Sequence, residues 1–249
     1  MLRGLTMAAV LMGFSLSAAA QITGPVAPAL TPEQIRASEA LAPTFDRSAA
    51  KNEARNATFK DRPLGYMVQK AFDAFSNYLV VSANLMPESG YGFRPTPELR
   101  TFGEQINHAT TSHYSFCNQA GTPPGVERRT APSAAGLTTK AAIVKALEDS
   151  IAYCNSLLAA ASEAWLMEIV PNLGGPSSGQ ITGMRAYAFV YNTVHSAEDY
   201  GTITTYLRMQ GVVPASTALN PPAARGRGAA PPAGGATPPA GGRGRGGPQ

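Results

Sequence analysis

Apolar residues recur at three- and four-residue intervals in four stretches of this chain, the spacing that places them on one face of a helix. The first stretch runs from about Leu64 to Met86, with Leu64, Val68, Phe72, Phe75, Leu79 and Leu85 near one side. The second opens at Thr96-Pro97-Glu98, a cap followed by proline, and continues to Ala120 with Phe102, Ile106, Ala109, His113 and Phe116 on its apolar face. Thr138 or Thr139 can cap the third, whose face reads Ile143, Leu147, Ile151, Cys154 and Leu158. The fourth, Gln180 to Gln210, carries Met184, Ala188, Tyr191, Thr202, Tyr206 and Met209, and ends at Gly211 and Pro214. No stretch shows sustained strand alternation. The pattern predicts an all-α protein, a four-helix bundle over residues 61–214 with connections of mixed length.

The fourth stripe contains three ionisable residues. His195, Glu198 and Asp199 fall on the same face as its apolar positions. A buried carboxylate beside a buried imidazole costs free energy unless each finds a partner or a cation. His-x-x-x-Asp also lets two side chains reach one metal ion from one helix face. The milder reading is a satisfied ion pair within the helix. Glu198 has three candidate roles: a further ligand, a partner that orients His195, or a general base. On the second helix, periodicity alone selects His113 as the inward histidine and sets His108 to the side, among Thr101, Gln105 and Ser112. Cys117 and Cys154 point inward on the second and third helices and form either a structural disulfide or two buried thiols.

The ends of the chain differ from its middle. Residues 1–20 combine Arg3, an apolar run from Met7 to Ala18 and an Ala18-Ala19-Ala20 end, the form of a secretory signal cleaved before Gln21. An uncleaved anchor is the alternative, although the run is short for a membrane span. Export, to a periplasm or the extracellular space, follows from the first reading. Residues 21–60 read as an arm with one short helix at Thr31-Pro32-Glu33-Gln34. Residues 215–249 are mostly Pro, Gly, Ala and Arg, a composition that cannot bury enough apolar surface to order itself, and are expected to be disordered. Of 20 lysines and arginines, one lies in the first 20 residues and four in this tail, which leaves 15 against 16 acids. The isoelectric point near 9.2 thus describes the tail. The tail is expected to touch anionic surfaces, and the near-neutral core gives no sign of nucleic-acid binding.

Two motifs carry a family resemblance. Ser89-Gly-Tyr-Gly-Phe-Arg-Pro-Thr-Pro-Glu-Leu-Arg-Thr-Phe-Gly-Glu-Gln-Ile-Asn-His108, and His195-Ser-Ala-Glu-Asp-Tyr-Gly201 followed by Tyr206-Leu-Arg-Met-Gln-Gly-Val-Val-Pro214, resemble the DinB-like (DinB/YfiT) superfamily, and within it the exported bacterial members. The resemblance covers roughly Pro63 to Pro214. It implies an up-and-down-type four-helix bundle holding a divalent metal on three histidines, one from the second helix and two, four residues apart, from the last. By position the ligands are His108, His195 and Asp199, so the resemblance moves His108 ahead of His113. The chain departs from the pattern at Asp199, where the family usually has His. Aspartate binds zinc at a similar distance, and it also admits harder metals, so zinc, nickel, manganese and iron all remain open. The implied function is a metal-dependent hydrolase or thiol S-transferase acting on a small-molecule substrate, with Glu198 orienting or deprotonating the nucleophile. Low-molecular-weight thiols are largely cytosolic, so export tilts the choice toward hydrolysis. The alternative is a non-catalytic metal- or small-ligand-binding envelope protein with a degenerate site. A homodimer through a helix face is compatible with such a bundle.

Overall fold

A proline and a distant carboxylate start the first helix. In the computed structural model, which describes residues 32–33, 61–176 and 179–219, α1 spans Pro63–Leu85. Its first free amides, Leu64 and Gly65, donate to the Glu163 carboxylate at 3.3 and 2.8 Å. The next helix, α2 (Phe102–Gln119), begins later than the Thr96-Pro97-Glu98 signal predicts. That segment forms a turn instead, with Leu99 N–H donating to the Thr96 carbonyl. The reason is a better cap downstream. Thr101 and Glu104 satisfy each other's backbone amides in a reciprocal box, and the amides of Phe102 and Gly103 donate back to Phe93 and Tyr91.

Thr139 caps α3 (Lys140–Ala160), accepting from Ala142 N–H. A five-residue α4 (Glu163–Met167) follows, and then a two-stranded antiparallel sheet, β1 (Ile169–Leu173) and β2 (Ile181–Met184). This hairpin corrects the all-helical reading of residues 180–185. Asn172 and Gly174 adopt positive φ beside the turn, Gly179 does so at its far side, and the strands are too short to show alternation. Met184 therefore lies on an exposed strand rather than in a core stripe. The last long helix, α5, is Ala186–Met209, closed by Gly211 at φ 74°. A final turn, α6 (Ala215–Ala218), lies past the expected end of the bundle, and Ala215 and Leu219 are buried in the core. The expected signal at residues 1–20, the arm apart from residues 32 and 33 (which are helical), and the tail beyond Leu219 lie outside the described residues.

The helices form a ring in which α1 packs on α5 and α3, and α2 packs on α3 and α5. Their directions follow from cross-links. Cys117 bonds Cys154, and His113 meets Ser150, so α2 and α3 run parallel. Gln69 meets Asn155, which sets α1 against α3, and Gln105 meets Asp199, which sets α2 against α5. The order is thus up-down-down-up rather than simple alternation. Residues 120–139 make it possible, because 20 residues of loop easily span an 18-residue helix of about 27 Å.

Two apolar clusters fill the ring. One gathers Leu79, Leu85, Phe102, Leu147, Ile203 and Tyr206; the other gathers Phe72, Tyr153, Leu157 and Phe189 around the disulfide. Most of the apolar face read from sequence is buried, including Val68, Phe72, Leu79, Ile106, Leu147, Cys154 and Leu158. Among the described residues no helix is long and apolar enough to cross a membrane.

Candidate metal centre

His108 and His113 are five residues apart on α2, which turns them about 140° away from each other. They consequently serve different neighbours. His113 faces inward, 1% exposed, with Nδ1 at 2.9 Å from Ser150 Oγ of α3 and Nε2 at 3.2 Å from Ser196 Oγ of α5. Both serines also reach backbone carbonyls, of Leu147 and Asn192. A neutral imidazole has one N–H, so one of the two serines turns its proton to the other ring nitrogen. Complete burial drives the His113 pKa down to about 3, and the ring stays neutral. The inward position predicted by periodicity is correct, and the residue is held as a structural bond between three helices.

His108 instead faces the groove between α2 and α5, half-buried. Its Nε2 stands 3.1 Å from His195 Nε2 and 4.0 Å from Asp199 Oδ1. His195 Nε2 is 3.7 Å from Asp199 Oδ2 and 3.0 Å from Ser112 Oγ. The three residues each present a ligand atom, all within 4.8 Å of one another, and the group could hold a metal ion. Burial is the main cause of a His108 pKa lowered to about 4, with the charge of Arg100 adding to it. The His195 pKa is also lowered, again chiefly by burial. Burial raises the Asp199 carboxyl to about 7, reinforced by Glu198 and opposed by the Gln105 hydrogen bond. Both imidazoles are therefore neutral at pH 7, and their approaches to Asp199 are not ion pairs despite the short distances. Neutral imidazole is the form that donates a lone pair to a metal.

Asp199 is the most informative member. Oδ1 accepts a 2.7 Å hydrogen bond from Gln105 Nε2, while Oδ2, equally buried, has no hydrogen-bond partner. A buried carboxylate oxygen left unpaired is costly. Two ligands each about 2.1 Å from a tetrahedral ion stand about 3.4 Å apart, close to the separations observed here. The donor set, two imidazole nitrogens and one carboxylate oxygen, fits zinc or a harder divalent ion.

Gln105, His108 and Ser112 recur at helical spacing on α2, as His195 and Asp199 do on α5, and the antiparallel helices bring the two stripes together. Gln105 and Ser112 were legible as a polar stripe, but nothing in the sequence marked them as partners of Asp199 and His195. Glu198 is mostly exposed, with Oε2 at 3.8 Å from His195 Nδ1, on the ring edge opposite Nε2. A cavity of about 440 Å³ opens beside the cluster, and Arg100, Glu198 and Tyr206 share its wall with the three residues.

No curated protein matches the chain. The sequence model of the DinB superfamily matches residues 71–203, a span that takes in α2, α3, both strands, every member of the cluster and most of α1 and α5. The chain belongs to the DinB superfamily.

Proposed function

We propose that this protein is a divalent-metal-dependent enzyme, with hydrolysis favoured over thiol transfer. The single observation that carries the reading is the unpaired Asp199 Oδ2 beside two imidazole nitrogens that converge on the mouth of an open cavity. His108, His195 and Asp199 would hold the ion, which when bound supplies Lewis-acid polarisation of a substrate atom. Gln105 fixes the Asp199 carboxylate through Oδ1, which leaves Oδ2 free beside His195. Glu198 sits where it favours a proton on His195 Nδ1, which keeps the Nε2 lone pair turned toward the cluster. To act as general base, as its residue type allows, Glu198 would swing into the cavity it borders. The Cys117–Cys154 disulfide supports export, since such bonds persist in oxidising compartments. The secretory character of residues 1–20 supports the same reading.

One observation favours the non-catalytic alternative. The His108–His195 contact and the Ser112 hydroxyl form a hydrogen-bonded group of their own, beside an Asp199 whose pKa is raised to about 7. Two measurements separate the readings. Water-proton relaxation of the Mn2+-loaded protein reports whether solvent reaches the ion, and the enzyme reading expects strong enhancement. A closed shell, or uptake of metal only after Asp199→His, assigns the chain to the binding or degenerate class instead. With metal loaded, a panel of esters and amides set against thiol acceptors then distinguishes hydrolysis from transfer.

A further inference from the structure

Arg100 is the only lysine or arginine on the wall of the cavity beside the cluster, and it has no ion-pair partner among the described residues. Its neighbours in charge are engaged: Arg94 pairs with Glu104, Lys145 with Asp149 and Arg185 with Glu168. The backbone at Arg100 is held in place, and its side chain is exposed. Tyr206 Oη, from α5, donates to the Arg100 carbonyl at 2.9 Å, and the following Thr101 is locked in the α2 capping box. Arg100 shares the wall of one cavity with His108, His195, Asp199 and Tyr206.

This placement leaves room for a further charge. Two neutral histidines and one carboxylate around a dication leave the centre net positive, and an unpaired guanidinium on the same wall repels it. An anion between them removes the conflict. The acids nearby are engaged elsewhere: Glu98 is turned into its own turn toward Thr96, Glu198 is turned to His195 Nδ1, and Glu104, beside Arg100 on the neighbouring surface, is taken up by Arg94 and the Thr101 amide. Glu98 and Glu198 still line the cavity, which disfavours a dianion such as phosphate and leaves room for a single negative charge. Leu99, 44% exposed, adds an apolar wall for the body of the ligand. A volume of about 440 Å³ suits a small organic molecule.

We propose that the substrate is a small organic acid whose carboxylate is received between Arg100 and the His108–His195–Asp199 group. This rests on the metal-dependent reading and adds a substrate class to it. The test uses the tag-free full chain loaded with Co2+ and titrated with benzoate, benzamide and inorganic phosphate, read from the visible cobalt bands. Benzoate perturbs the bands most tightly. Its Kd rises ~10-fold or more in Arg100→Gln, the loss of one charge-assisted contact, and is unchanged in Arg208→Gln, which removes an exposed arginine elsewhere. Equal benzoate affinity in Arg100→Gln, benzamide binding as tightly as benzoate, or phosphate binding more tightly each overturns the proposal. Absence of cobalt uptake strikes the metal reading instead. The imidazole resonances of His108 and His195 in the metal-free chain then report benzoate directly, and the same loss in Arg100→Gln decides the matter.

Discussion

Two histidine centres lie little more than one helical turn apart along α2, one joining α2 to α3 and α5 and the other spanning α2 and α5, and they have opposite characters. Around His113 every ring nitrogen has a hydroxyl, Phe72 closes over it edge-on, and the disulfide lies on the next turn of α2 and α3. Around His108 and His195 two ring nitrogens meet each other, one carboxylate oxygen has no partner, and the side toward the cavity is open. The more deeply buried histidine is the closed one. Depth therefore does not mark a site in this bundle; a deficit of hydrogen bonds among convergent donors does.

The closed centre should respond in stability and the open one in ligand binding. The largest effect is expected on the disulfide. Replacing Cys117 and Cys154 together with alanine costs about 4 kcal/mol in the chain-entropy account of a loop of 37 residues. Urea unfolding measures this, and metal uptake per folded molecule should be unchanged. A loss of metal uptake in the folded fraction would join the two centres into one.

Next comes pH. The folded protein does not protonate His113 until about pH 3, whereas the unfolded chain protonates near 6.5. The unfolded state thus binds more protons in that window, and the stability due to neutral His113, fully present above 6.5, is lost as pH falls toward 3. Going from pH 7.5 to 5, wild type should lose about 2 kcal/mol more than His113→Gln. Parallel losses in the two proteins would show that His113 is not held neutral.

How much of this was legible beforehand follows from what each signal measures. The burial of Phe72, Leu79, Ile106 and Leu147 came through because a stripe of large apolar residues has one low-energy arrangement, facing the core. The hairpin at β1 and β2 did not, since five- and four-residue strands beside a glycine-rich turn give periodicity too little length. Helix direction also stayed hidden. Stripes fix which face is buried, but the parallel run of α2 and α3 depends on the path of the 120–139 crossover. At the site, spacing located His195 and Asp199, and only the family motif chose His108. Gln105, Ser112 and Arg100 needed the three-dimensional pairing of α2, α5 and the preceding turn.

At the open centre, Gln105→Leu frees the Asp199 carboxylate to rotate. Competition with a chromophoric chelator should show metal affinity ~10- to 100-fold weaker, with the folded fraction intact. Unchanged affinity would mean that Asp199 is positioned by its helix alone. The smallest effect is expected at Glu198. Its side chain is 78% exposed and 3.8 Å from His195 Nδ1, so Glu198→Gln should change metal affinity by ~3-fold or less. A large fall in turnover with metal retained would place Glu198 in proton transfer rather than beside the ligand.

The most direct test of the central claim is the metal content of the tag-free protein, purified from the compartment in which the cell holds it, beside His195→Ala. Near-stoichiometric divalent metal is expected in the native chain, with loss of that metal in a folded variant. Native protein that takes up no metal under any loading, or an alanine variant that retains the same content, would contradict that claim.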